Sequence, residues 1–363
     1  MEIKYNQISK IRLISQKITA SEFKTAPEIV SWMGAMQAQD YVMAKWAIGV
    51  RLAGTTDKQV ESAINNGEIL RIHVLRPTWH FVAADDIYWM LQLSAPKIKS
   101  SLTTRHKQLE LTESVISKTN FIIEKALLKE LYLTRDELAE EFHKAGIRTD
   151  DNRLSHILFR SELDGITCSG PVKENKLTYA LLHVRVPHKK EYSRDESLAE
   201  LAKRYFSSRC PATLEDFLWW SNLTVKDARK AVDLIKSDFF SETMGSIKYL
   251  VPNSFPETSL EKISVHFLPA YDEFLISYRN RSNSLSEVNN KRTVSDNGIF
   301  YPTVIINGQV TGLWKRVFKK NKVIINLNLF QQADTSVIKL IEDKADRFGK
   351  FLFKEAELIY RTL

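Results

Sequence analysis

The sequence predicts an α+β fold in which three tandem winged-helix modules precede a small C-terminal β domain. Helical periodicity followed by strand-like segments recurs three times, with a clear hairpin in the first two cases. About the last hundred residues are rich in β-branched and aromatic residues instead. A helix-turn-helix core that carries a β wing is the winged-helix arrangement. We place the segments at 1–125, 126–192, 193–255 and 256–363.

The first module begins with four helical patterns and ends with a hairpin. Apolar spacing and capping residues predict helices at 7–18, from Pro27 through Met36, at 41–51 and at 57–66. The stretch EILRIHVLRPTWHFVA then predicts two strands joined around Arg76-Pro77. The tryptophans of this region lie on apolar faces, so we interpret them as core residues; they are Trp32, Trp46, Trp79 and Trp89.

The second and third modules show the same order. Thr134 and Glu137 form a capping box before DELAEEFHKAG, a second helix follows in DNRLSHILFRSELDG, and ITCSGPVKENKLTYALL predicts a hairpin. In the third module, helices are predicted at 198–206, after Thr213 and after Thr224, with a strand in IKYLV. The alternative is a helical protein whose short helices simply abut.

The C-terminal segment predicts strands in three stretches: VHFLPAYDEFLISY, RTVSDNGIFYPTVIINGQVTGLWKR and KVIINLNLF. Asn307-Gly308 is a hairpin-turn dipeptide. A helix is predicted at about 335–348, and the polar stretch 282–298 is predicted to be a mobile loop.

Composition excludes several classes of protein. The chain has 363 residues, of which 44% are hydrophobic and 26% charged, typical of a globular protein in water. No apolar run reaches the length of a membrane span, and the first residues lack the pattern of a signal peptide. The two cysteines, Cys168 and Cys210, stand in no ligand or disulfide pattern. We therefore expect a cytoplasmic protein with no membrane partner.

The charge indicates a polyanionic partner. The net charge is +8, the pI is about 9.2, and the basic residues are clustered. The clusters are Lys97, Lys99, Arg105 and Lys107; His188, Lys189, Lys190 and Arg194; and Lys315, Arg316, Lys319, Lys320 and Lys322. The predicted second helix of the third module adds Lys226, Arg229 and Lys230. Charge alone leaves nucleic acid and other partners open.

Common catalytic patterns are absent from the sequence. His183 and His188 lie in a strand-like stretch at a spacing that would point them to opposite faces. There is no His-Glu-x-x-His, no Cys pair, no phosphate-binding glycine loop and no Gly-x-Ser-x-Gly. A zinc hydrolase, an ATPase and a serine hydrolase are excluded, and we expect no metal and no nucleotide cofactor.

The stretch GAMQAQD, residues 34–40, places two neutral amides at an interruption between helices. Turn chemistry or solvated side chains would be an ordinary explanation for Gln37 and Gln39. If the backbone between the two helices is in an extended conformation, the side chains of Gln37 and Gln39, at positions i and i+2, point to the same side. Asp40 beside them fits either an N-cap of the next helix or a catalytic base, and the N-cap is favoured.

Four blocks of the sequence resemble one bacterial family. The blocks are MQAQDYVMAKWAIGVRL, LRPTWHFVAADD, LPAYDEFLISYRNR and VIINGQVTGLWKR. Their residues and order are similar to the winged-helix DNA-binding proteins whose characterised members are the AlkZ- and AlkX-type (YcaQ-type) DNA glycosylases. The resemblance implies three tandem winged helices that form a C-shaped basic channel for duplex DNA, followed by a C-terminal β-barrel.

The family's catalytic motif is Gln, an apolar residue, then Gln or Asp, and Gln37-Ala38-Gln39 matches the Gln/Gln form. The resemblance implies a monofunctional glycosylase for purines alkylated at N7 or N3. Such a purine is cationic and leaves as a neutral base, so it needs no general acid. Two amide oxygens could orient the attacking water. The preferred lesion, whether methylated, bulky or cross-linked, and base flipping stay open.

The implied partner is duplex DNA with alkylated bases, bound by a monomer. Arg76 at the hairpin turn is interpreted as a phosphate or minor-groove contact, and His80 either faces DNA or fills the strand interior. Further DNA contacts are expected at Lys189, Lys190, Lys226, Arg229, Lys230, Lys315, Arg316, Lys319 and Lys320. A non-catalytic DNA-binding regulator would bind DNA without base release. A protein-interaction scaffold would lack the steep salt dependence of DNA binding.

Overall fold

The computed structural model describes residues 7–255 and 263–362. The chain forms two compact units. Unit 1 comprises Met1–Glu61 and Leu198–Leu363, and unit 2 comprises Ser62–Ser197. The four segments placed from the sequence remain a prediction, and the expected boundary after 255 adjoins residues 256–262, which lie outside the described residues.

The N-terminal part of unit 1 contains helices near the predicted positions and one short strand, but the second helix ends at Met33 and the predicted helical residue Met36 lies in the strand. They are α1 (Ile8–Ser15), α2 (Ala26–Met33), β1 (Met36–Gln37) and α3 (Tyr41–Arg51), and α4 (Asp57–Asn65) follows. Helix α2 begins where it does because Thr25 and Glu28 form a capping box and Pro27 occupies the first turn.

Unit 2 contains two hairpins and two long helices. Its elements are β2 (Ile69–His73), β3 (Trp79–Ala83), α5 (Ile87–Gln108), α6 (Glu113–Lys129), β4 (Tyr132–Thr134), α7 (Arg135–Lys144), α8 (Arg153–Leu163), β5 (Thr167–Ser169), β6 (Thr178–Leu181) and α9 (Leu182–Arg185). Strands β2 and β3 form the predicted antiparallel hairpin. Strands β4, β6 and β5 form a small antiparallel sheet over a core of residues such as Ile123, Phe142 and Ile157.

The rest of unit 1 begins with three helices and a two-stranded hairpin. They are α10 (Arg194–Ser208), α11 (Leu214–Ser221), α12 (Val225–Leu234), β7 (Phe239–Met244) and β8 (Ile247–Pro252). Thr213 and Thr224 cap α11 and α12 as predicted. Helix α12 is amphipathic because Ala228 and Ala231 are buried while its basic residues face solvent.

The C-terminal part of unit 1 is a five-stranded sheet covered by a helix. Its elements are β9 (Val265–Leu268), α13 (Glu273–Ile276), α14 (Glu287–Thr293), β10 (Thr303–Ile306), β11 (Gln309–Phe318), β12 (Lys322–Leu329), α15 (Thr335–Phe351) and β13 (Glu355–Thr362). The strand order is β13-β12-β11-β10-β9, and only β12 and β13 are parallel. Helix α15 supplies the crossover that a parallel pair requires.

Aromatic side chains join this sheet to helix α3. The rings of Trp46 and Trp314 lie 4.9 and 5.0 Å from that of Phe348 on α15. The indole N–H groups of Trp46 and Trp314 donate to the carbonyls of Phe267 and Leu268, respectively. The sheet, α15 and α3 therefore share one core, which holds α3 against the sheet.

Three local predictions were wrong. The predicted loop 282–298 contains helix α14, which begins after Ser286 and ends before Val294. The stretch VHFLPAYDEFLISY holds only the strand β9, because Asp272 accepts the N–H of Phe274 and starts the short helix α13. His183 lies in helix α9 instead of a strand, so the opposite-face argument for His183 and His188 does not apply.

Within the described residues, no helix combines the length and the apolar character required to cross a bilayer.

Candidate active site

The interruption at residues 34–40 is built by local chemistry at both ends. Gly34 has φ of +70°, a conformation that side chains disfavour, and helix α2 stops there. Asp40 accepts the N–H of Met43 at 3.1 Å and begins helix α3, as predicted. Between them, Gln37 is only 6% exposed, whereas Gln39 is exposed. The two amides therefore have different environments: Gln39 reaches solvent, and Gln37 is held within unit 1.

The backbone of Gln37 is bound by a buried carboxylate. Its N–H donates to Oε1 of Glu273 at 2.8 Å, although the two residues are 236 positions apart. The other carboxylate oxygen, Oε2, accepts from Arg209 at 2.6 Å, from Ser277 and from the indole of Trp220. Glu273 is 1% exposed. One carboxylate thus joins the candidate motif to helices α11 and α13.

Arg209 binds the other end of the same segment. Its guanidinium donates to the carbonyls of Met33 at 2.7 Å and Ala35 at 3.0 Å. It also donates to Ser277 and Ser208, in addition to Glu273. These acceptors match the five N–H groups of a guanidinium. Arg209 therefore holds the chain on the N-terminal side of Gln37 while Glu273 holds Gln37 itself.

The surroundings keep Glu273 ionised. Burial raises the pKa of a carboxyl group, but here Arg209 and the hydrogen bonds from Ser277, Arg209 and the Gln37 backbone outweigh it. The net result lowers the pKa of Glu273 from 4.5 to about 2. The carboxylate is therefore a fixed negative charge at neutral pH and acts only as a hydrogen-bond acceptor.

A second buried ion pair lies next to the first. Arg51 donates to both oxygens of Asp272 at 2.8 Å, and the two side chains are 0% and 2% exposed. Arg51 also donates to Gln16, whose amide donates to the backbone carbonyl of Glu273. None of the contacts described for Arg51 involves the side chain of Gln37 or Gln39.

The other side of the motif carries Asp40, Arg316 and Tyr271. Arg316 lies 3.6 Å from Asp40, so this predicted DNA contact has an ion-pair partner within the protein. Tyr271 has φ of +57°, which is strained for an aromatic residue, and precedes Asp272. Burial raises the pKa of Tyr271, and the negative charge of Asp40 raises it further. Both residues therefore interact with Asp40, which follows the exposed Gln39 in the chain.

The basic residues predicted in unit 1 form two exposed groups. Lys226, Arg229 and Lys230 lie together on one face of α12. Lys315, Lys319 and Lys320 are exposed along β11 and at its turn to β12. Each group has the exposure that phosphate contact requires, and contact with DNA stays a prediction for both.

Unit 2 contains the other predicted contacts. Lys189 and Lys190 are exposed after α9, with ammonium groups about 5 Å from the rings of Tyr88 and Tyr192, respectively. Arg76 lies half-buried in the turn between β2 and β3. His80 is 0% exposed and its Nδ1 lies 2.9 Å from the carbonyl of Thr78. Because a DNA contact needs an accessible ring, the predicted DNA contact of His80 is wrong, and the residue fills the strand interior, which was the other predicted role.

The sequence reasoning did not select Glu273 or Arg209. Glu273 stands in the largely apolar run DEFLISY, and an acid in such a run is expected to be buried and paired. This pattern could have indicated a structural or functional role for Glu273. Arg209 has no comparable local signal. Among the described residues, no group of three or more His, Cys, Asp or Glu side chains is arranged to hold a metal ion.

Comparisons with known proteins agree on one family. Residues 30–351 match the family model described as DNA glycosylase AlkZ-like. A relative from Streptomyces sahachiroi, named Interstrand DNA cross-link repair glycosylase, is 22% identical over 367 residues and 95% of each chain is covered. The fold is similar to the solved Streptomyces sahachiroi DNA glycosylase AlkZ, with a TM-score of 0.82, 19% identity and 100% of both chains covered. The chain belongs to the AlkZ-like DNA glycosylase family and is an enzyme that acts on N-glycosyl bonds.

Proposed function

We propose that this enzyme is a monofunctional glycosylase that hydrolyses the N-glycosidic bond of purines alkylated at N7 or N3 in duplex DNA. Gln37 and Gln39 are the catalytic residues, and they place the water that attacks the anomeric carbon. The observation that carries the proposal is the segment 35–39. It is non-helical, bound to Glu273 and Arg209 from within, and presents the exposed amide of Gln39.

The chemistry suits neutral side chains. Alkylation gives the purine a positive charge, so the bond between the anomeric carbon and the base nitrogen breaks with its electron pair going to a neutral leaving base. Water then forms the new bond to the oxocarbenium-like carbon and releases a proton to solvent. Amide oxygens accept hydrogen bonds from this water and fix its position without taking the proton permanently. Neither glutamine offers the amine that a Schiff-base lyase needs.

DNA binding is assigned to the basic surfaces. Lys226, Arg229 and Lys230 on α12 are proposed to contact phosphates, together with Lys315, Lys319 and Lys320. In unit 2, Arg76, Lys189 and Lys190 are proposed to do the same. Helix-turn-helix segments followed by hairpins support three winged-helix modules, and a helix-covered five-stranded sheet supports a barrel-like C-terminal domain. Phosphate contacts of this kind set position and strengthen binding, without reading sequence.

The lesion class includes bulky adducts and interstrand cross-links. The printed name of the Streptomyces sahachiroi relative refers to interstrand cross-link repair, and that protein covers nearly the whole of this chain. We propose a monomer that acts in the cytoplasm and requires no metal or nucleotide cofactor.

The test is base release from duplex DNA that carries 7-methylguanine. Wild type is compared with Gln37→Ala and Gln39→Ala, and Gln331→Ala is the control because Gln331 is another exposed glutamine of unit 1. We expect release by wild type and by the control, and a loss of about a hundredfold or more in both motif variants with unchanged DNA affinity.

If 7-methylguanine is not released, two further substrates test the proposed substrate class. If wild type leaves 7-methylguanine in place, a bulky N3 or N7 adduct and an N7-linked interstrand cross-link are tested next. Failure on all three, with DNA binding intact, would show that the proposed substrate class is wrong. Release that is unchanged in both motif variants would show that the catalytic assignment is wrong.

A further inference from the structure

The buried ion pair of Arg209 and Glu273 contacts the backbone of residues 33–37, which lead into the candidate motif. Glu273 accepts the N–H of Gln37, and Arg209 donates to the carbonyls of Met33 and Ala35. The two charged groups lie 2.6 Å apart and are 0% and 2% exposed. Three backbone groups within five consecutive residues are thus held by one pair of side chains.

We propose that Glu273 is a positioning residue for the reaction, acting with Arg209 to set the backbone from which the Gln37 side chain reaches the attacking water. This inference rests on the proposed function. In this proposal, Glu273 contacts neither the DNA substrate nor the attacking water. Its role is to fix one of the two amides.

The geometry argues for more than general stability. A buried carboxylate is costly unless it is paired and its oxygens are hydrogen-bonded, and here both oxygens are used. Oε1 accepts the N–H of Gln37, which lies in the two-residue strand β1. Without that acceptor, the segment between α2 and α3 would lose one of the hydrogen bonds that hold the backbone of Gln37 in place. Gln39 is exposed, and no hydrogen bond to Glu273 or Arg209 is described for it. We therefore expect Glu273 to influence the rate of base release through Gln37.

The neighbouring pair of Arg51 and Asp272 provides a matched control. It has the same exposure, 0% and 2%, and lies in the same unit. Its charged groups bind each other, Gln16, and the backbone of Ala47 and Phe274. Arg51→Met therefore breaks a buried ion pair but removes no described hydrogen bond to residues 33–39, and Asp272 stays in place as the N-cap of α13.

The experiment measures the single-turnover rate of base release at saturating enzyme on a 7-methylguanine duplex. DNA affinity and the unfolding midpoint are measured in parallel. Glu273→Gln keeps an oxygen for the Gln37 N–H but removes the charge facing Arg209, and Glu273→Ala removes both. We expect rates lower by about tenfold and about a hundredfold, because small misplacements of a reacting group have effects of that size. DNA affinity should stay within about twofold, and Arg51→Met should keep a rate within about threefold of wild type.

The Gln37→Ala background separates positioning from structure. A positioning residue has nothing to position there, so Glu273→Ala should lower the remaining rate by less than about twofold. An equal loss in both backgrounds, or a loss in Arg51→Met as large as in Glu273→Ala, would overturn the inference. If single variants do not fold, the double variant Glu273→Met with Arg209→Met leaves no unpaired buried charge. A folded double variant with the wild-type rate would also overturn it.

Failure of the proposed function gives a different result. Wild type would then release no base from the methylated, bulky or cross-linked duplex, or Gln37→Ala would match wild type. Either outcome removes the inference together with the function. Base release that requires Gln37 but does not change in Glu273→Ala removes the inference alone.

Discussion

The guanidinium of Arg316 lies 3.6 Å from the carboxylate of Asp40, the residue that follows Gln39. This contact joins strand β11 to the first residue before helix α3. Asp40 therefore has two roles in the folded chain, as the N-cap of α3 and as the partner of Arg316. Both roles occupy the carboxylate, which weakens the case for Asp40 as a general base.

Asp40→Asn should keep most of the activity. Asparagine caps helices as well as aspartate does, and a partly exposed ion pair contributes little, so stability should fall by less than about 1 kcal/mol. Base release should stay within about fivefold of wild type, because removing a true general base lowers rates by about 10²–10⁴-fold. The measurement is single-turnover base release together with denaturant unfolding. A loss in the larger range with intact folding would make Asp40 the base.

The α12 surface should contribute to the salt dependence of DNA binding. Lys226→Ala combined with Lys230→Ala removes two exposed charges one helical turn apart. If each contacts a phosphate, the slope of log K against log salt should become less steep by about 1.8. The control is Lys339→Ala with Lys350→Ala, two exposed lysines on α15. Equal slopes for the two double variants would contradict the assignment of α12 to DNA.

His266 should make unit 1 less stable in acid. Burial lowers the pKa of His266 from 6.5 to about 3, and nearby Lys344, Arg347 and Arg51 add to this. The folded state therefore binds the proton more weakly than the unfolded state. The stability is fully present above pH 6.5 and is lost as the pH falls from 6.5 toward 3.

His266→Phe should remove this dependence. The wild-type free energy of unfolding should decrease by up to about 1.4 kcal/mol per pH unit from this group alone. The check is urea unfolding of wild type and His266→Phe at several pH values between 6.5 and 4. Identical pH slopes would show that His266 titrates normally in the folded protein.

Gly308 should not tolerate alanine. It has φ of +82°, and an added Cβ would lie 2.5 Å from Oγ and 3.0 Å from the carbonyl carbon of Ser9. The strained conformation and the contact with backbone should together cost about 2–4 kcal/mol. Gly298→Ala is the control, with φ of +74° and no atom within 4 Å. Thermal unfolding should show a clearly larger loss at Gly308, and equal losses would mean that helix α1 moves away.

Local chemistry explains what could be predicted from the sequence. The capping box of Thr134 and Glu137 and the N-cap at Asp40 are confirmed because each rests on residues three positions apart. The turn at Asn307-Gly308 is confirmed as well, with φ of +51° and +82°. These patterns need no tertiary information.

Tertiary contacts explain what could not be predicted. Helix α5 continues through Pro96, a residue that normally ends a helix, because its apolar residues are buried in unit 2. Gln37 and Gln39 could be selected from the sequence through the family resemblance, but their different burial could not. The acceptor for Gln37 lies 236 positions away, and no periodicity or local spacing connects the two residues.

That separation sets an order of events during synthesis. The chain emerges from the ribosome N-terminus first, at roughly 5–20 residues per second, so Glu273 follows Gln37 by roughly 10–50 s. All of unit 2 is translated in that interval, since it is one continuous segment between the two parts of unit 1. A nascent or shortened chain can therefore carry the complete Gln37-Ala38-Gln39 motif while lacking the carboxylate that binds it. On our proposal such chains have little base-release activity, so translation itself delays the enzyme until about three quarters of the chain, through Glu273, has been made.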